Sequence, residues 1–257
     1  MPLIHPTSVI DPGADISEDV EIGPFCYIEK DVRIGKGTKL LNNVSLYNGS
    51  RLGEDNLVYP GAVISGIPQD LKYKGQYSEV FIGNKNTVRE CVTISRATVE
   101  PFKTVIGNDC LLMAYSHVAH DCILGNKCIL ANSVALGGHV VVEDYAICGG
   151  LVGVHQFVRI GMHCMIGAHS MVVKDVVPYA LFSGTPLKYS GINTVGLKRR
   201  NFSQEAIDLL KKALNLFFIS NLNVSQAVDK IINELPRTNE LEYLIDFVQT
   251  SKRGISK

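Results

Sequence analysis

Read in sixes from Ile106, residues 106–171 run IGNDCL LMAYSH VAHDCI LGNKCI LANSVA LGGHVV VEDYAI CGGLVG VHQFVR IGMHCM IGAHSM. Every sextet opens on Ile, Leu or Val except the one that opens on Cys148. The same register starts at Ile4, runs by sixes to Ile64, and returns at Ile82, Val88 and Ile94. A period of six is neither the helical 3.6 nor the simple alternation of a lone strand. It is the signature of a hexapeptide solenoid. Each sextet gives one short strand and one tight turn, and three sextets close a triangular coil with the aliphatic side chains inside. Coils then stack as parallel strands about 4.8 Å apart. Gly and Asn are expected at the turns, where positive φ is needed.

The bulk numbers exclude several classes. The chain has 257 residues and a formal net charge of zero, so nothing points to nucleic-acid binding. No apolar run approaches the roughly 18 residues of a membrane span. With repeats beginning at residue 4 and no leader pattern, a soluble cytoplasmic protein is expected. Seven cysteines, an odd number without paired spacing, read as buried free thiols in a reducing compartment.

The register is interrupted twice, at 65–81 and 95–105. Loops expelled from a rigid solenoid often carry function, and the first holds Gln69, Asp70, Lys72 and Tyr73 within five residues. The repeats fade after Pro178. From Ser203 the spacing turns helical, with Ile207, Leu210, Leu214 and Phe217 on one face. Ser225 is read as the start of a second helix, and Leu241, Leu244, Ile245 and Val248 mark a third. The expected organisation is a β-helix over 1–190 and a small helical domain over 191–257. From Leu197 onward ten basic residues face seven acidic ones, including Lys198-Arg199-Arg200, a run suited to phosphates or an acidic partner.

Five of the seven histidines lie between residues 117 and 163. Residues one coil apart should stack. His120, Gly138 and Gln156 then form one column, and Asp121, His139 and Phe157 the next. Neutral histidine is the usual general base near pH 7. An adjacent carboxylate orients its ring and stabilises the imidazolium. A glycine N–H can approach an oxyanion closely. A zinc site on His117, His120 and His139 is the competing reading of the same cluster; no metal is expected.

The segments Gln69-Asp70-Leu71-Lys72-Tyr73, His117-Val118-Ala119-His120-Asp121-Cys122, Gly138-His139-Val140, Val154-His155-Gln156-Phe157 and Gly196-Leu197-Lys198-Arg199-Arg200 resemble the acyl-carrier-protein–UDP-N-acetylglucosamine O-acyltransferase family, which starts lipid A synthesis. The resemblance spans nearly the whole chain. It implies a left-handed parallel β-helix, an exception to the usual right-handed crossover, and a homotrimer with sites between subunits. It implies that His120 is the base acting on the sugar 3-hydroxyl, that Asp121 supports it, and that the Gly138 N–H holds the oxyanion. Gln69, Asp70, His117, His139 and Gln156 match substrate-positioning residues, with Lys72 and His155 as further candidates. Asn193, Arg199 and Arg200 match the nucleotide-binding end. No cofactor is implied, because the acyl group arrives on the phosphopantetheine of acyl carrier protein.

Two departures qualify the match. Val195 stands where relatives can carry a glutamate that contacts the ribose. Ala168 stands at the position that limits acyl-chain length, where glycine permits a longer chain. Along the solenoid axis His120 and Ala168 should be about 13 Å apart at about 4.8 Å per coil. The rival readings are a β-helix N-acyltransferase, which usually carries an extra N-terminal domain, a 3-amino sugar nucleotide as acceptor, and a non-catalytic solenoid scaffold.

Overall fold

The structure, a computed structural model, describes residues 1–256. Its first three-quarters wind into a parallel β-helix. Three sheets of eleven, nine and eight strands form its faces among the described residues. Neighbours within a sheet come from successive coils. Leu124 pairs with Val142 and Val142 with Ile160, so one coil takes eighteen residues. The sextet-opening side chains fill the interior. Ile106, Leu112, Leu124, Leu130 and Leu136 are each less than 2% exposed. Cutting one such Leu to Ala costs about 2–5 kcal/mol, because a stacked coil cannot collapse into the void.

The corners depart from the expected turn chemistry. Many left-handed positions are held by residues other than Gly or Asn, among them Phe25, Asp121, His139, Leu151 and Phe157, with φ between 58° and 66°. The glycines that follow the inward aliphatic residue serve another purpose. A Cβ on Gly35 would lie 2.6 Å from the carbonyl carbon of Gly53 in the next coil. These glycines are required by close stacking rather than by φ.

Both insertions are shorter than the periodicity suggests. Strands Val63–Gly66 and Glu79–Ile82 bracket the first, and Thr93–Ser95 and Lys103–Ile106 bracket the second. Pairing resumes early because Val80 and Phe81 already oppose Ser50 and Arg51. The chain therefore leaves the solenoid only over 67–78 and 96–102. At the other end, strand Ala180–Ser183 extends the largest sheet beyond Pro178, and strand Lys188–Ile192 returns antiparallel to it across residue 190.

Among the described residues four helices follow: α1 (Thr194–Arg199), α2 (Gln204–Phe218), α3 (Val224–Glu234) and α4 (Asn239–Thr250). The short α1 escapes the sequence pattern. Ser203 caps α2 as expected, but α3 starts earlier than Ser225, at an Asn223–Gln226 capping box. The tail folds back on the last coils. Arg159 lies 3.8 Å over the Phe247 ring and donates to its carbonyl at 2.6 Å, and Tyr243 bonds Glu143. No helix among the described residues is long and apolar enough to cross a membrane. All seven cysteines lie among the described residues and are free; six are buried and Cys91 is exposed.

Candidate active site

The nine-stranded sheet brings His117, Ala135, Gly153 and Met171 into one outward-facing row, one per coil. Small residues in the middle of that row leave an open groove of about 440 Å³. Gln69, His117, His120, Gly138 and His155 all line it. The first insertion thus returns over the solenoid face and supplies a wall.

At the adjoining corner the expected columns form. The His139 N–H donates to the His120 carbonyl at 3.0 Å, and the Phe157 N–H to that of Gly138 at 3.0 Å. His120 Nδ1 lies 2.7 Å from Asp121 Oδ2. That contact fixes one edge of the imidazole on the carboxylate and turns Nε2 the other way, where Asp70 Oδ2 stands at 3.8 Å. The His120 ring lies against Gly138, where an added Cβ would sit 2.4 Å from Cε1 and 2.6 Å from Nε2. His139 meets the His120 ring edge-on at 5.2 Å and stacks on Phe157 at 4.4 Å.

Asp121 is almost enclosed, its side chain 7% exposed. Burial alone would raise its carboxyl. Bonds from Thr98, His120 and the Val99 and Thr98 N–H groups overcome that and hold it below the ordinary carboxylate range. Its own N–H donates to Thr104 Oγ1 at 2.9 Å. Burial lowers both His117 and His139, with the Asp121 carboxylate pulling His139 the other way. His117 is also fixed to Thr93 Oγ1 at 2.7 Å.

The remaining sequence candidates divide. Asp70 makes an Asx-type turn with the Lys72 N–H at 2.9 Å, while the Lys72 side chain is exposed. His155 and Gln156 are exposed at the groove's edge, with His155 Nδ1 3.1 Å from the Gln156 carbonyl. Asn193, Arg199 and Arg200 lie elsewhere. Asn193 caps α1 by accepting from the Gly196 N–H at 3.1 Å, and its amide donates to the His163 carbonyl at 2.9 Å. Arg200 lies 3.2 Å from His163 Nδ1, donates to the Tyr145 carbonyl at 2.9 Å, and covers the Tyr145 ring. Arg199 is exposed at the end of α1, and Val195 is 62% exposed in its first turn.

Tyr145 and His163 occupy a second corner, where their N–H groups bond Asn126 and Asp144. Leu151 and His169, beside the exposed Ala168, mark the third, bonding Asn132 and Gly150. Within one chain the base pair, the arginine and the chain-length position therefore stand at three different corners.

Burial, with Arg200 adding to it, pushes His163 down to about 4. An unfolded histidine protonates near about 6.5. Between those values the unfolded chain binds more protons, so stability falls as pH drops through that window and levels off below it. The melting temperature should therefore drop less steeply across that range in His163→Gln than in the parent. Parallel curves would refute the assignment.

Thr98, Thr104 and Gln76 went unnoticed in the sequence. Gln76 Nε2 donates to the Thr98 carbonyl at 2.5 Å, which ties the first insertion to the second. These residues sit in or beside segments without a repeat, so no register points to where they land.

Comparison with known proteins decides the family. A curated acyl-[acyl-carrier-protein]–UDP-N-acetylglucosamine O-acyltransferase of Thermodesulfovibrio yellowstonii is 48% identical, over 99% of both chains. The chain belongs to this O-acyltransferase family. The counterpart from Burkholderia lata is 45% identical over 99% of both chains. The solved UDP-N-acetylglucosamine acyltransferase of Bacteroides fragilis superposes with a TM-score of 0.98 at 44% identity, over 99% of this chain and all of that one. Residues 175–256 match the family described as "Udp N-acetylglucosamine O-acyltransferase; Domain 2", and residues 103–138 match "Bacterial transferase hexapeptide (six repeats)". As an O-acyltransferase of this family, the chain has the left-handed parallel β-helix and small helical C-terminus that the family shares.

Proposed function

We propose that the chain transfers a 3-hydroxyacyl group from acyl carrier protein to the 3-hydroxyl of UDP-N-acetylglucosamine, the opening step of lipid A synthesis. The observation that carries this is the His120–Asp121 pair set against Gly138 at the groove, in a chain of this family. His120 Nε2 takes the proton of the sugar hydroxyl, whose oxygen attacks the thioester carbonyl. The Asp121 carboxylate stabilises the imidazolium that forms. The Gly138 N–H stabilises the tetrahedral oxyanion. As the C–S bond breaks, the pantetheine thiolate leaves and recovers the proton from His120. No acyl-enzyme is formed, and neither cofactor nor metal is drawn on.

Gln69, Asp70, His117, His139 and Gln156 position the two substrates, with Lys72 and His155 at the rim. Asn193, Arg199 and Arg200 serve the nucleotide. Their distance from His120, across two corners of one solenoid, favours a homotrimer in which the nucleotide end and Ala168 come from a neighbouring subunit. Sedimentation should give a trimer, and an active monomer would contradict the shared site. A carrier-protein donor and a nucleotide-sugar acceptor suit a cytoplasmic enzyme.

Mass spectrometry of the product from UDP-N-acetylglucosamine and a mixture of 3-hydroxyacyl carrier proteins tests the reaction. A 3-O-acylated sugar nucleotide supports it. Product only from a 3-amino acceptor would replace the ester with an amide. In the same assay Ala168→Gly should shift preference towards longer donors, since the methyl group would shorten the path of the acyl chain where a neighbouring subunit supplies it. An unchanged chain-length profile would remove Ala168 from that role.

A further inference from the structure

We propose that Thr98, in the second insertion, is a positioning residue that holds the Asp121 carboxylate in line with His120. Three groups of this loop converge on that carboxylate. Thr98 Oγ1 donates to Oδ2 at 2.6 Å, and the Thr98 N–H reaches both oxygens at 3.0 and 3.1 Å. The Val99 N–H adds a bond to Oδ1 at 3.2 Å. Oδ2 is the oxygen that faces His120 Nδ1 at 2.7 Å, and Thr98 Oγ1 itself lies 3.4 Å from that nitrogen. The hydroxyl therefore fixes which carboxylate oxygen meets the imidazole, and at what angle.

The arrangement is enclosed, with Thr98 only 7% exposed. It is also braced from the far side. Gln76 donates to the Thr98 carbonyl, and Arg96 donates through its N–H to the Gly66 carbonyl at 3.1 Å. The insertion that carries Gln69 and Asp70 is thus joined through Thr98 to the Asp121–His120 pair. A bond to an ionised partner is among the stronger ones, and removing one that fixes the base's partner should act on turnover rather than on substrate affinity.

The inference rests on His120 being the base. The test uses the full-length chain with Thr98→Val and Thr98→Ser. Thr98→Val should lower kcat roughly ten- to hundredfold while KM changes far less, and Thr98→Ser should recover most of the loss. In an Asp121→Asn background, adding Thr98→Val should cost under about twofold, because the two act on one bond. A purely structural threonine would instead subtract the same amount in both backgrounds.

A second readout does not depend on turnover. In the proton NMR spectrum, the downfield His120 Nδ1–H signal should shift or broaden in Thr98→Val and stay in place in Thr98→Ser. If the parent fails to acylate UDP-N-acetylglucosamine, the reaction reading falls while this signal still judges Thr98. A kcat for Thr98→Val within twofold of the parent, an additive double variant, or an unmoved signal would each overturn the proposal.

Discussion

His120→Ala should fold and assemble like the parent yet turn over at least about a thousandfold more slowly. The ring touches the groove, not the aliphatic interior, so removing it leaves the stacked core intact. It also strips the reaction of the group that takes and returns the proton. The drop should appear in kcat, measured by product formation at saturating donor and acceptor, with a melting temperature lowered only modestly, by the loss of one partner of the enclosed Asp121 carboxylate. A variant retaining a tenth of parental activity would show that another group, such as Asp70 on the Nε2 side of the ring, performs the proton transfer.

Gly138→Ala should lower kcat about a hundredfold, although it adds one methyl group and keeps the backbone N–H. The new Cβ would fall 2.4 Å from His120 Cε1, closer than any real contact, so the imidazole must leave its place beside Asp121. A displacement of about 1 Å at a reacting group is enough for a loss of this size. The prediction has an internal control. In a His120→Ala chain the methyl group has room, and the second substitution should then cost less than about threefold. Equal losses in both backgrounds would place the damage in the oxyanion donor instead.

The solenoid could be read from the chain because its physics is periodic. One inward position per six residues leaves a record that survives even at Cys148, and the column of His120, Gly138 and Gln156 follows from eighteen-residue stacking. Thr98 could not be read that way. It belongs to an excursion, and its approach to Asp121 depends on how two loops brace each other. Helix α1 was hidden for a related reason, since six residues hold too little periodicity. The stacking role of glycines such as Gly35 is not legible in the chain, because a sequence records which residue is small and not which neighbour comes close. Arg200 matched a motif, but its seat between Tyr145 and His163 rests on contacts spanning 55 and 37 residues in sequence.

The corners carry a consequence for engineering. Residues such as Phe25, Asp55 and Lys85 hold left-handed backbone without the freedom of glycine, a conformation that disfavours most side chains. Substituting Asn or Gly at corners remote from the groove offers a way to gain heat tolerance while leaving the chemistry alone. A β-branched residue at the same places is the change to avoid. Asp121 and His139 hold that backbone too, so a library that relaxes corners indiscriminately would erase the site along with the strain.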